Sequence, residues 1–186
     1  MTIDQKIIEG CIAGKRSAQS QLYNKFSAGM LGVCLRYCRD FEDAEDVLQE
    51  GFIKVFRSIH TFRGESFIGS WIKRIMINTA ITHNKKSMSL ELLKTEMPDA
   101  DFLGEQETEE VVIHSVEPEK LLAHIQELPE GYRTVLNLFV FEGYTHKEIA
   151  ESLGISENTS KTQLFKARAY LRNKLEPASE KKILIK

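Results

Sequence analysis

Apolar residues recur at every third or fourth position along most of this chain, and no stretch alternates apolar with polar at period two. That repeat restricts the fold to helices packed on helices, because a 3.6-residue turn gathers such side chains on one face. Leu22, Phe26, Met30, Val33 and Tyr37 form one stripe, on a helix with Ser17 as its predicted N-cap, and Asp4 is placed to cap a short helix before it. A third helix is predicted from about Phe41 to Ile59, burying Leu48, Phe52, Val55 and Ile59. Its opening turns carry Glu42, Asp43, Glu45 and Asp46, where negative charge complements the helix dipole. After a glycine-bearing loop, Thr61 to Gly69, a fourth helix is expected from about Ser70 to Lys85, with Trp71, Ile72, Ile75 and Thr79 turned inward. Trp71 belongs to the apolar stripe and is expected in the core.

The stripe ends near Ser87. From Ser87 to Pro118 there is no consistent period; the stretch holds Pro98, Gly104 and Pro118, and nine acidic residues against the single Lys94. Such a composition reads as a flexible acidic linker. Periodicity resumes near Glu119 with Leu121, Leu122, Ile125 and Leu128, breaks at Pro129 and Gly131, and continues through Val135, Leu138 and Phe139. The expected fold is therefore all-α: two small helical domains, 1–86 and 119–177, joined by the linker 87–118 and followed by a tail, 178–186. With 186 residues and 42% hydrophobic content, two small cores are within reach.

The most specific local pattern begins at Thr145. Thr145-His146-Lys147-Glu148 is a capping box, in which the Thr hydroxyl accepts from the Glu148 N–H and the Glu148 side chain reaches back. Ile149, Ala150 and Leu153 supply the buried face of the helix that follows, Gly154 takes the turn, Ile155 packs beneath it, and Ser156 caps the next helix. The small Ala150 permits a close crossing, which makes the pair a helix-turn-helix over Thr145 to Leu175. In its second helix Leu164, Ala167, Leu171 and Leu175 point inward. Lys161, Phe165, Arg168 and Arg172 then fall along one flank, and Thr162, Lys166 and Asn173 along the other. Lys161, Thr162, Phe165, Lys166 and Arg168 suit phosphates and base edges, and the competing possibility is a basic helix that merely faces water.

The formal net charge of −2 argues globally against nucleic acid, but the charge is segregated: Lys161 to Lys174 holds five basic residues and no acid. Met1 to Lys6 carries charges and leads into no long apolar run, so a cytoplasmic chain is expected, with no secretory signal and no membrane insertion. Cys11, Cys34 and Cys38 lack framework or metal spacing and are expected buried and unreactive. There is no phosphate-binding glycine loop and no His pair at metal spacing, so neither an enzyme nor a metal, cofactor or small-molecule substrate is expected, and His146 reads as a surface residue.

The amino-terminal half narrows the function. Asp43-Ala44-Glu45-Asp46-Val47-Leu48-Gln49-Glu50-Gly51-Phe52-Ile53-Lys54-Val55-Phe56 resembles the segment with which sigma factors dock on the clamp helices of RNA polymerase. Thr61-Phe62-Arg63-Gly64-Glu65-Ser66-Phe67, then Trp71-Ile72-Lys73-Arg74-Ile75 and Asn78, resemble the loop and helix with which that family grips the melted downstream (−10) promoter element. Leu128-Pro129-Glu130-Gly131-Tyr132-Arg133, Glu142 to Ala150 and Thr159-Ser160-Lys161 are similar to its second conserved domain, which reads the upstream (−35) element. The chain thus resembles an extracytoplasmic-function sigma factor from Leu22 to Leu175, the linker excepted.

The resemblance implies core RNA polymerase, promoter DNA and an anti-sigma factor as partners. It assigns Asp46, Gln49, Glu50, Phe52 and Phe56 to polymerase, with Phe52 and Phe56 shared between core and contact, and Phe62, Arg63, Ser66, Phe67, Lys73, Arg74 and Asn78 to the downstream element, with Lys85 and Lys86 adding phosphate contacts. Thr82 and Lys85 stand where the family often has Asp and Arg, and Asn158 and Ser160 where Gly and a branched apolar residue are common; these departures bear on promoter preference. Gly51 replaces a residue that is usually bulkier in this subfamily. The alternative is a helix-turn-helix regulator acting without polymerase, which leaves Asp43 to Phe56 and Phe62 to Asn78 without a role.

Overall fold

The structure, a computed structural model, describes residues 3–64, 66–94 and 117–175. Among these residues there are eight α-helices and no strand. The chain divides into two compact units, Met1–Lys86 and Ser87–Lys186.

The first unit contains α1 (Ile3–Ile12), α2 (Arg16–Tyr37), α3 (Phe41–Ser58), a 3-10 turn (Ile59–Thr61) and most of α4 (Ile68–Lys94). Its core joins Leu22, Phe26, Val33 and Tyr37 of α2 to Val47, Leu48, Phe52 and Val55 of α3 and Ile72, Met76 and Ile81 of α4. Two predicted caps are corrected. Asp4 is the second residue of α1, and α2 begins at Arg16 behind Lys15, which makes no side-chain cap bond, so Ser17 lies inside the first turn. For Ser17 the reason is Gly14: at φ +70° it reverses the chain immediately after α1, and Lys15 N–H returns to Gly10 O at 2.9 Å. The cap of α3 is Asp40, whose Oδ1 accepts from Asp43 N–H at 2.9 Å.

The fourth helix starts at Ile68 and runs to Lys94, so Ser87 to Lys94 is helical where a linker was expected. These residues contain no Gly or Pro and are rich in Leu, Met, Glu and Lys, all strong helix formers; the acidic drift of the wider stretch concealed that. The rest of the expected linker, 95–116, lies outside the described residues, as do Glu65 and the tail. Trp71 and Ile75 are half-buried, one position off the buried line of Ile68, Ile72 and Met76, and the indole lies against Phe62 with ring centroids 5.6 Å apart. Buried Asn84 donates to Tyr37 O at 2.8 Å and so satisfies a carbonyl that the end of α2 leaves open. The three cysteines are free and buried, and burial pushes the Cys34 thiol up to about 12.

The second unit contains α5 (Pro118–Glu127), α6 (Glu130–Leu136), a π-helical turn (Asn137–Phe141), α7 (His146–Leu153) and α8 (Glu157–Leu175). The break between α5 and α6 is confined to Leu128 and Pro129, and Gly131 lies within α6. A Cβ at Gly131 would stand 3.0 Å from Gln163 Nε2, so this glycine serves the approach of α8 and not a chain reversal. Fully buried Arg133 donates Nη1 to Gln126 O at 2.9 Å and Leu128 O at 3.2 Å, closing the end of α5. Leu128, Val135, Leu138, Ile149, Leu164 and Ala167 complete the core. No helix among the described residues is long and apolar enough to cross a membrane.

Candidate nucleic-acid interface

The local chemistry predicted for the helix-turn-helix is present bond for bond. Thr145 Oγ1 accepts from Glu148 N–H at 3.3 Å, and Thr145 N–H donates to Glu148 Oε2 at 2.8 Å. The backbone and hydroxyl bonds from Thr145 hold the Glu148 carboxyl below its ordinary range. Gly154 sits at φ 73°, ψ 35°, and its N–H and that of Ile155 both reach Ala150 O, at 2.9 and 3.1 Å. Ser156 Oγ then accepts from Thr159 N–H at 3.0 Å, which starts α8. Leu164, Ala167 and Leu171 are buried and Leu175 is half-buried. Lys161 and Phe165 are exposed, while Thr162, Lys166, Arg168 and Arg172 are half-exposed, so both predicted flanks reach the surface.

Two residues stand elsewhere than expected. Ser160 is wholly buried, with its Oγ 2.9 Å from His146 Nδ1, and presents nothing to a ligand. His146 is half-buried, its ring stacked on Phe139 with centroids 4.7 Å apart and planes 26° apart, whereas the sequence placed it on the surface. Burial, then the charges of Lys161 and Arg168, lower the imidazole pKa from its ordinary 6.5, and Glu157 opposes them. No sequence period links positions 146 and 160. Of the pair of departures at the start of α8, only Asn158 faces outward.

In the first unit, Asp46, Gln49 and Glu50 are exposed on α3. Lys54 Nζ lies 2.7 Å from Glu50 Oε1 and donates to Thr79 Oγ1 at 3.3 Å, tying this acidic face to α4. Phe56 is half-buried, but Phe52 is only 2% exposed, packed on Tyr23 at 4.7 Å and Phe56 at 6.0 Å between centroids. Of the core and contact roles expected together for Phe52, the structure gives it the core one and corrects the contact one, since it falls on the inward stripe between Leu48 and Val55. Ile53, 50% exposed beside Gln49 and Glu50, is the apolar group that this face does offer. Its signal was visible: it stands off the three- and four-residue spacing of the buried positions.

On the loop before α4, Arg63, Ser66 and Phe67 are exposed and Phe62 is half-buried on Trp71. Phe67 meets Phe26 edge-on at 6.2 Å. Along α4, Arg74 and Asn78 are exposed one turn apart, and Lys73, next to Arg74, is half-buried. The loop and helix thus collect aromatic edges, cations and an amide on one connected stretch, a set suited to holding single-stranded nucleic acid. The side chains of Lys85 and Lys86 lie outside the described residues.

Comparison with known proteins decides what these surfaces belong to. Residues 22–88 match the family model of sigma-70 region 2, and residues 119–171 that of sigma-70 region 4. The chain belongs to the sigma-70 family. It is a sigma factor of the extracytoplasmic-function type, with regions 2 and 4 in that order. The RNA polymerase sigma-H factor of Pseudomonas aeruginosa is 32% identical over 188 residues, covering 94% of each chain. The ECF RNA polymerase sigma-E factor of Haemophilus influenzae is 31% identical over 182 residues, covering 94% of this sigma factor and 96% of that one. Among solved structures, the Bartonella quintana sigma factor RpoE in complex with the anti-sigma factor NepR shares the fold, with a TM-score of 0.51 at 16% identity over 85% of this chain and 98% of that one. A stand-alone helix-turn-helix regulator accounts for 119–171 and leaves the region 2 match without a role.

Proposed function

We propose that this sigma factor binds core RNA polymerase and makes it promoter-specific, acting by binding alone and without covalent chemistry. The observation that carries the proposal is the ordered pair of region 2 and region 4, each with its site side chains outside its buried stripe. Asp46, Gln49, Glu50 and Phe56 of α3, with Ile53 added, meet the polymerase clamp helices. Lys161, Thr162, Phe165, Lys166 and Arg168 of α8 read the upstream element from the major groove. Phe62, Arg63, Ser66, Phe67, Lys73, Arg74 and Asn78 hold the opened downstream element. Extruding a base from the stack costs a few kcal/mol, which the loop's rings and polar groups offset. The working domains are 1–86 and 119–177, with 87–118 between them and 178–186 as a tail; the site of action is the cytoplasm, and an anti-sigma factor is the regulatory partner.

The test is reconstitution with core polymerase. Lys161→Ala with Arg168→Ala is expected to abolish selection of the upstream element, and to reduce the salt slope of promoter binding by about two, at about 0.9 for each phosphate that is no longer neutralised. Binding of core enzyme should be unchanged. Gln49→Ala with Glu50→Ala should do the reverse. If either pair depresses both activities equally, the division of labour between the units is wrong.

A further inference from the structure

His146 occupies the first position of α7, beside Thr145, and takes no part in the capping bonds. It is engaged elsewhere. Its Nδ1 lies 2.9 Å from the wholly buried Oγ of Ser160, in the first turn of α8 and one residue before Lys161. Its ring stacks on Phe139 of the π-helical turn, and the Arg168 guanidinium lies over that same Phe139 ring, 5.6 Å from its centroid. One imidazole therefore joins three elements at the base of the two cations assigned to DNA, Lys161 and Arg168.

Two physical points give this arrangement a purpose beyond packing. A buried hydroxyl is unfavourable unless bonded, so Ser160 is tolerated at the α7–α8 contact because His146 answers it. A hydrogen bond is also directional. An apolar pair in the same place would hold the helices together while allowing them to slide, whereas the imidazole–hydroxyl contact selects one rotation of the α8 first turn. That turn is the part of a reading helix that enters the groove, where recognition groups must be held to within about 0.5 Å. Burial and the neighbouring Lys161 and Arg168 charges keep the imidazole neutral at neutral pH, so the stack adds no like charge beside Arg168.

We infer that His146 is a positioning residue for promoter recognition: with Ser160 and Phe139 it sets where the first turn of α8 and the Arg168 side chain stand against the upstream element. The inference rests on the reading of α8 as the upstream-element helix.

The experiment uses the full-length protein assembled with Escherichia coli core RNA polymerase. A duplex library randomised over the upstream window is passed over the wild-type holoenzyme, and the selected duplex becomes the probe. His146→Phe keeps a ring on Phe139 and removes the bond; Ser160→Ala removes it from the other side. Each is expected to weaken binding of the selected duplex by about threefold to tenfold, with core polymerase affinity unchanged and with no further loss when the two are combined. His146→Asn, which keeps a polar atom near the Nδ1 position, should restore part of the loss. Lys161→Ala serves as the control for the helix itself. If both single variants bind the duplex as the wild type does, or lose duplex and core affinity in equal measure, the positioning role is overturned while the reading of α8 stands. Failure of the wild-type holoenzyme to select an upstream sequence, or an undiminished Lys161→Ala, overturns that reading and this inference with it. Should His146→Phe fail to fold, Ser160→Ala, the smaller change, decides.

Discussion

Gly51→Ala in α3 sets two opposed effects against each other, and the structure predicts which wins. Alanine is favoured over glycine in a helix interior by about 1 kcal/mol, so at an open position the change would stabilise the protein. At Gly51 the added methyl would overlap Met76 Sδ of α4 and stand 3.0 Å from its Cε. Met76 is fully buried and cannot swing into solvent. Overpacking of this kind costs about 1–3 kcal/mol, which leaves a net loss of about 1 kcal/mol. For a unit of this size, that lowers the melting temperature by roughly 4–8 °C.

Met76→Val removes the sulfur and terminal methyl that the new side chain meets. Alone it leaves a void and destabilises by about 1–2 kcal/mol. In the Gly51→Ala background it should destabilise far less, giving a coupling of about 1–2 kcal/mol in a double-mutant cycle followed by thermal and urea unfolding. The close approach also matters for function. Gly51 follows Gln49 and Glu50 on α3, and Met76 lies between Arg74 and Asn78 on α4, so the fit of Gly51 against Met76 sets the spacing of the face proposed to dock polymerase and the helix proposed to hold the opened strand. A Gly51→Ala protein that is more stable by about 1 kcal/mol, with no coupling to Met76, would refute the reasoning.

Two further predictions concern the second unit. Arg133→Leu withdraws the donor to Gln126 O and Leu128 O in a fully buried position and is expected to cost about 3 kcal/mol, read from urea unfolding. Glu127 Oε2 receives Tyr170 Oη–H at 2.7 Å and Lys174 Nζ at 3.1 Å, which holds its carboxyl down at about 2. A depressed carboxyl contributes stability above its ordinary 4.5, and that contribution is lost as pH falls from 4.5 towards about 2. Glu127→Gln should flatten the dependence of melting temperature on pH within that window.

The helix-turn-helix was legible down to individual bonds because every part of it is local. Cap, reach-back carboxylate, turn glycine and second cap lie within a few residues of one another, so their chemistry shows in the order of side chains. Lys161 and Phe165 came out exposed because a 3.6-residue period, once anchored by Leu164, Ala167 and Leu171, fixes the opposite face as well. The errors share a different cause. Gly131 looked like a break and is a helix position facing Gln163, and Ser87 to Lys94 looked like linker by charge and is helix by propensity.

What the sequence by itself determined is the class of fold, the order of the two units, and the surfaces that periodicity turns outward. What only the tertiary structure decided is which polar residues are buried and against whom. Periodicity distinguishes inside from outside but carries no record of partners that arrive from elsewhere in the chain. His146 meets Ser160 across 14 positions and Asn84 meets the Tyr37 carbonyl across 47, and those bonds exist because packed helices bring the groups within 3 Å. A buried polar group is stable only with such a partner, so its role becomes visible when the packing does.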